Sequence, residues 1–572
     1  MTGSEEPMAG NERPRLRPPA GIDPLRLATL LTLALGIGFR LADALERRSF
    51  WVDEASLALN VMSRGFTDLF RDLDLAQVAP PLYLALVRGS FLLTGPSETS
   101  LRTVSLVTGI LLLFIMVSLA RMLVGRGAPL LVLAVLAPMP WLIRYSNEVK
   151  PYIVDIFAAA LLLWLTARVL SGHRERWSLP LALFLLPLVS LPAIFCGAGV
   201  LCALVVHHGR GALRERTVWT AAAAWLLGSG LTFLFTKNPS QTAWSLHYWE
   251  GSFAFRGLAD GYVQRFLAFY AELAFVPPPG LRDVRAPWLI PGAVVLVGAG
   301  VVHLWRRGQR ALLLAMLVPV LAGLAASAAH RFPMAPRLWM WILPSYTVLL
   351  AAGVFLLLPR RTGWVTPAVV LLLWAVAFGP RARWAYYQSH SPAHDRIADR
   401  VLAELDHQRK PDEPVWVHVR GSAEYLAERV RTPEDGAALR ALLLASSPGG
   451  PLYRNDSVMR PVDAQTEPLL TWRDGGGPVL LARSSAMRER DQHPVTSLDP
   501  DWARTEAARI RTAADPCAWT FMIDALPPER EGLLAALAAS GGRATWRLDD
   551  RGTLAARWCF ARERTRGTEP AS

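Results

Sequence analysis

In the stretch "RRSFWVDEASLALN", Arg47 to Asn60, two carboxylates stand side by side, Asp53 and Glu54, behind Phe50, Trp51 and Val52. A carboxylate shielded by apolar neighbours can take a proton from a reacting hydroxyl, which is general-base chemistry. The plainer account is a helix start, with Asp53 capping a run from Glu54 to Met62 and the first-turn acid favoured by the helix dipole. Pattern alone weighs the two evenly. A second cluster, "RYSNEVKPY", packs Arg144, Glu148 and Lys150 into a few residues, and a third, "HRFPMAPR", does the same with His330, Arg331 and Arg337. Cations gathered in this way suit an anionic ligand such as a phosphate. Salt bridging and anchoring to lipid headgroups is the competing account of both.

The three clusters are far apart in sequence, so the elements between them must bring them to one surface. Of the 572 residues, 52% are hydrophobic, and they come in long blocks, which marks a polytopic membrane protein. Eleven spans are expected: Pro24 to Leu45, Leu101 to Ala120, Ala128 to Ile143, Tyr152 to Leu170, Leu179 to Ser190, Pro192 to Val206, Val218 to Phe235, Trp288 to Trp305, Ala311 to Ala329, Leu338 to Leu358 and Trp364 to Phe378. With the polar N-terminal tail, residues 1–23, in the cytoplasm, every basic cluster between spans falls on the same inner side. That includes Arg121 with Arg126, "SGHRERW", "GRGALRER", "RRGQR" and "PRR".

Two readings carry that topology. "PPLYLALVRGSFLLTG", Pro80 to Gly95, is short and holds Arg88, so it is expected to lie along the outer interface. Pro180, Pro187 and Pro192 break Leu179 to Val206 into a tight hairpin. The three clusters then all face outward. The longest loop between spans, Thr236 to Pro287, adds "WSLHYWEGSF", whose aromatic faces could stack a sugar or peptide or form an interfacial belt. Asp72 and Asp74 in "RDLDL" mimic the metal-holding Asp-x-Asp of soluble nucleotide-sugar transferases, but they fall outside. "FCGAGV" and "VGAGVV" read as small-residue packing faces.

The net charge of +13 would suit a nucleic-acid partner, yet from Arg381 onward there are 27 basic and 27 acidic residues. The excess therefore belongs to the membrane part, and no nucleic acid is called for. Past Arg381 the pattern alternates: "HDRIADRVLAELDHQ" and "EREGLLAALAASGG" have helical spacing, the latter ending at a glycine cap. "PVWVHV", "GPVLLAR", "AWTFMIDAL" and "TLAARWCFA" read as strands. A soluble α/β domain over 381–572 follows. Of four cysteines, Cys196 and Cys202 fall in an apolar span and are expected in the core; Cys517 and Cys559 lie near two late strands and are either a disulfide or two buried thiols.

The order of motifs resembles the bacterial GT-C membrane glycosyltransferases of families 39 and 83, the class related to the protein O-mannosyltransferases, the lipid A aminoarabinose transferase and the Rgt-type transferases. The likeness rests on Trp51 to Ala55 (aromatic-x-Asp-Glu-Ala), Pro80 to Tyr83 (Pro-Pro-Leu-Tyr), Ser97 to Arg102 (Ser-Glu-x-x-x-Leu-Arg) and Arg144 to Tyr152. It implies a GT-C catalytic domain over 24–380, with interfacial helices in the first outer loop. It also implies an inverting hexosyl or pentosyl transfer from a polyprenyl-phosphate sugar to a hydroxyl of a glycan, lipid or protein acceptor. The location implied is the outer face of the bacterial inner membrane, with the α/β domain outside. By the same resemblance Asp53 is the general base and Glu54 its support, or part of a divalent-metal site where a member uses one; no cofactor is otherwise implied. Arg144, Lys150 and Arg337 are expected to hold the lipid phosphate, with Glu148, Arg331, His330, Arg102 and Tyr83 as further substrate-binding candidates. Ala79 stands where many relatives carry His or Lys, and Lys150 where Arg is usual, which weakens any inference about the sugar. A flippase for a lipid-linked saccharide and a noncatalytic scaffold are the alternatives from other classes.

Overall fold

The computed structural model describes residues 23–45, 50–236 with short gaps, 289–357, 367–376, 395–418, 471–482 and 501–561 with short gaps, and a few isolated positions between them. The loop after the apolar helix α1, Pro24–Leu45, contains helix α2, Val52–Ser63. Asp53 is therefore inside the first turn of α2 rather than its cap. Helix α3, Pro81–Thr94, starts at a proline whose missing N–H costs nothing there and stops at Gly95, whose φ of 89° few other residues tolerate. Arg88 of α3 donates to Val61 O and Met62 O at 2.9 and 2.8 Å. One buried guanidinium thus satisfies the open carbonyls at the end of α2 and locks the two helices of the loop together.

Each expected span has helical counterparts among the described residues. Seven helices are long and apolar enough to cross a membrane: Pro24–Leu45, Glu98–Leu123, Tyr152–Leu170, Ala193–Arg214, Arg216–Thr236, Arg310–Ala328 and Pro336–Leu357. Shorter apolar helices cover Ser178–Val189, Ile290–Arg306 and Pro367–Val376. Numbered in chain order, α4 is Glu98–Leu123, α7 Tyr152–Leu170, α8 Ser178–Val189, α9 Ala193–His208 and α10 Arg216–Thr236. The α8/α9 break falls at Ser190 to Pro192, as the prolines require.

The expected span Ala128 to Ile143 is not one helix. It divides into α5, Ala128–Leu136, and α6, Pro140–Tyr145, because Pro138 and Pro140 remove donors that a continuous ladder needs. Arg40, fully buried in α1, repairs the gap by donating to Ala137 O at 3.1 Å and Leu136 O at 3.4 Å. The glycine-rich stretches serve packing: side chains added at Gly197 and Gly199 would meet Trp225 and Pro319. Cys202, expected in the core with Cys196, is exposed on its helix.

In the tail, a six-stranded mixed sheet has the order β2-β3-β1-β6-β8-β7, with β1 Val415–Val417, β2 Thr471–Asp474, β3 Gly477–Leu481, β6 Cys517–Ile523, β7 Gly542–Asp550 and β8 Thr553–Phe560. A separate two-stranded pair joins β4, Ala486–Met487, to β5, Ser497–Leu498. Strand β1 runs parallel to β3 and β6 and is buried throughout, which explains its continuous apolar reading. Helices Asp395–Gln408, Trp502–Ala513 and Pro527–Ala539 accompany the sheet. The second and the strands β2 and β7 have no counterpart in the sequence reading. Cys517 and Cys559 face each other across β6 and β8 and form a disulfide.

Candidate active site

Asp53 and Glu54 are neighbours in α2 with opposite surroundings. Glu54 is buried, and its carboxylate takes a bidentate pair from Arg102, Nε to Oε1 at 2.7 Å and an NH2 nitrogen to Oε2 at 2.8 Å. The Val149 N–H also donates to Oε1 at 2.9 Å. Arg102 stands in the second turn of α4, whose start is fixed by Ser97 accepting from the Ser100 N–H, and its guanidinium lies over the Phe50 ring. Glu54 therefore ties α2 to α4 and to the loop that carries Lys150.

The loop has further anchors. Ser105 of α4 donates to Glu148 O at 2.7 Å, and Asn147 donates to Asp43 Oδ2 at 2.7 Å and to Arg40 O at 3.2 Å, both on α1. Its approach to α4 depends on Gly109, where any Cβ would overlap the Ser146 side chain. Arg144, on the short α6, pairs with Glu148 at 2.5 Å.

Asp53, about a quarter exposed, is where these loops converge. Lys150 Nζ lies 3.3 Å from Oδ1 and an Arg337 NH1 nitrogen 3.7 Å from Oδ2. Gln77 joins the first pair: its Oε1 accepts from Lys150 at 2.6 Å and its amide nitrogen points to Asp53 Oδ1 at 3.5 Å. Burial pushes the Lys150 ammonium below the ordinary lysine range, Asp53 opposes that shift, and Arg337 adds to it. Arg337 is about a third exposed and sits over the Trp249 ring. It opens the 3-10 turn Pro336–Ile342, held rigid by the buried Trp339, whose indole donates to Pro333 O at 2.9 Å.

The sequence candidates therefore divide. Asp53, Lys150 and Arg337 meet in one cluster. Glu54 and Arg102 form the buried bridge beside it, and Arg144 and Glu148 form a pair in the same loop. His330 adopts a left-handed φ of 55° where Arg310–Ala328 ends, with its ring against Phe253; this is a helix-ending role. Arg331 is exposed, and Tyr83 is buried in α3. Gln77, Asn147 and Arg40 went unnoticed in the sequence. Gln77 is uncharged, and Asn147 was legible only as a member of the Arg-Tyr-Ser motif. In "WSLHYWEGSF" only Trp249, Ser252 and Phe253 are among the described residues; Asp72 and Asp74 lie outside them.

A divalent metal beside Asp53 and Glu54 does not fit these donors. Asp53 faces two cations, both oxygens of Glu54 accept from Arg102, and among the described residues no group of three His, Cys, Asp or Glu side chains converges.

The described residues thus form a polytopic helical chain with a loop acid set between two cations, and a mixed α/β tail. Residues 78–229, about a quarter of the chain, match the family model PMT_2, dolichyl-phosphate-mannose-protein mannosyltransferase. That segment contains Tyr83, Arg102 and the whole Arg144-to-Tyr152 motif. No curated protein matches the chain. Among solved structures, it is similar to ArnT from Cupriavidus metallidurans bound to undecaprenyl phosphate, with 13% identity, a TM-score of 0.45, and coverage of 92% of this chain and 97% of that one. It is also similar to the oligosaccharyltransferase AglB from Archaeoglobus fulgidus in complex with an inhibitory peptide and a dolichol-phosphate, with 12% identity, a TM-score of 0.40, and coverage of 70% and 63%.

Proposed function

We propose that the protein is an inverting glycosyltransferase that moves a sugar from a polyprenyl-phosphate donor to an acceptor hydroxyl at the outer face of the inner membrane. The observation that carries the reading is the convergence on Asp53 of Lys150 and Arg337 from two other loops. The reaction needs a base for the incoming hydroxyl and cations for the departing phosphate, and the cluster holds both.

In the proposed step the acceptor oxygen attacks the anomeric carbon as Asp53 takes its proton. The new C–O bond forms as the bond to the phosphate oxygen breaks, with one inversion at carbon. Polyprenyl phosphate leaves with its developing charge against Lys150 and Arg337. Glu54 supports the base indirectly, because its bridge to Arg102 and its bond to Val149 N set the position of Lys150. The catalytic domain is 24–380. The tail, 381–572, stands outside and takes part in acceptor binding; the Cys517–Cys559 disulfide suits an oxidising compartment.

The flippase reading lacks comparable support, since the buried ionisable residues of the described spans, Arg40, Arg102, Asp155 and His303, all lie within two turns of a helix end. The test is mass spectrometry of surface glycans and glycolipids from a deletion strain complemented with wild type or Asp53→Asn. A product restored by wild type and missing with a membrane-inserted Asp53→Asn is expected, with transfer down by about 10²-fold or more. Full restoration by the variant would remove Asp53 from the base role.

A further inference from the structure

The two oxygens of Asp53 have unequal partners. Oδ1 lies within a closed triangle: Lys150 at 3.3 Å is buried, and Gln77 bonds Lys150 at 2.6 Å while pointing to the same oxygen. Oδ2 faces Arg337 at 3.7 Å, the longer contact, through a guanidinium about a third exposed on a carboxylate about a quarter exposed. Each oxygen thus faces a cation; lone pairs remain to accept from a hydroxyl, but a carboxylate paired with cations on both oxygens is a weaker proton acceptor until one of them leaves. The cations that would bind the donor's phosphate are the same ones. An arginine offers a planar fork that matches a phosphate as well as it matches a carboxylate.

From this geometry, and resting on the function proposed above, we infer that Arg337 is an exchange residue: it holds Asp53 Oδ2 while no donor is bound and passes to the phosphate when the lipid-linked sugar arrives. Gln77 and Lys150 stay in place and keep the carboxylate oriented through Oδ1. Donor binding then opens Oδ2 to the acceptor hydroxyl, so the donor binds before the acceptor. The exchange exposes no new charge, because the guanidinium trades one anion for another.

The exchange makes Asp53 and the phosphate competitors for one guanidinium, and binding measurements read that competition without any knowledge of the sugar. The probe is undecaprenyl phosphate, titrated into the full-length protein in phosphatidylcholine nanodiscs. Asp53→Asn is expected to bind it about three- to fivefold more tightly than wild type, the scale of a partly exposed ion pair. Arg337→Ala is expected to bind it more weakly, and Arg337→Lys to recover part of the loss. The decisive variant is Asp53→Asn combined with Arg337→Ala, which should bind as Arg337→Ala alone, since the competition has lost its intermediary.

Equal tightening by Asp53→Asn in both backgrounds would show general charge repulsion and overturn the exchange, leaving the proposed site intact. An affinity indifferent to Asp53→Asn would overturn it as well. If wild type, Arg337→Ala and Lys150→Ala all bound the probe equally, the phosphate site itself would fall, and the exchange with it.

Discussion

Replacing Glu54 by Gln tests whether the second carboxylate of the pair is chemistry or framework. The substitution keeps size and shape and leaves an oxygen to accept from Val149 N. It removes the charge opposite Arg102, a guanidinium that is 9% exposed and held on both oxygens of a carboxylate that is 1% exposed. Breaking a buried pair by neutralising one member costs about 3–5 kcal/mol, because the remaining charge stays out of water without compensation. Asp53→Asn removes an equal charge from the adjacent residue. Its pairs are longer, at 3.3 and 3.7 Å, its carboxylate is about a quarter exposed, and Lys150 keeps its bond to Gln77, so its cost should stay well below that of Glu54→Gln.

The two variants should therefore separate on different axes. In detergent-solubilised full-length protein, Glu54→Gln is expected to lower the thermal unfolding midpoint clearly, and Asp53→Asn to leave it near wild type while abolishing transfer. Replacing both members, Glu54→Gln with Arg102→Leu, removes the stranded charge, and apolar replacements of buried pairs are often close to neutral. The double variant should melt above Glu54→Gln alone. A Glu54→Gln protein as stable as wild type, or a double variant no better than the single one, would refute the framework role and return Glu54 to the chemistry.

Three further outcomes follow from the same contacts. Lys150 can hold a phosphate only as an ammonium, and burial lowers its pKa from the ordinary lysine value, so undecaprenyl phosphate affinity should fall as pH rises through that lowered value; in Lys150→Arg, which stays charged, the alkaline loss should vanish. Gly109→Leu should cripple lipid-phosphate binding without touching a charged residue, because it drives the Ser146 loop off α4; a variant with unchanged affinity would show that the loop does not depend on that approach. Cys517→Ser opens a bridge spanning 42 residues and should destabilise the tail by about 2–4 kcal/mol, seen as faster amide exchange in β6 and β8 while the membrane helices keep their protection.

What the sequence made legible follows from the range of the forces involved. Spans, caps and strands are local: apolar blocks longer than the bilayer core, Pro80 ahead of α3, the strand run of Cys517–Ile523. Each can be read in a window of some twenty residues. The break inside Ala128 to Ile143 was also local, written in Pro138 and Pro140, but the fragment stays apolar throughout, so hydropathy hides what the prolines do. The site depends on contacts 48 to 107 positions apart, such as Arg102 with Glu54 and Asn147 with Arg40, and no periodicity encodes a partner at that distance. Charge made Asp53, Lys150 and Arg337 conspicuous, since ionisable groups are costly near a bilayer and seldom idle. Charge could not reveal which of two adjacent acids was buried. That was decided by the rotation of α2, which turns Glu54 toward α4 and leaves Asp53 toward the loops. Once α2 begins at Val52 and Arg88 fixes its far end, the assignment of one acid to the framework and the other to the open cluster is a matter of helix phase: consecutive residues lie about 100° apart on a helix and cannot face the same neighbours.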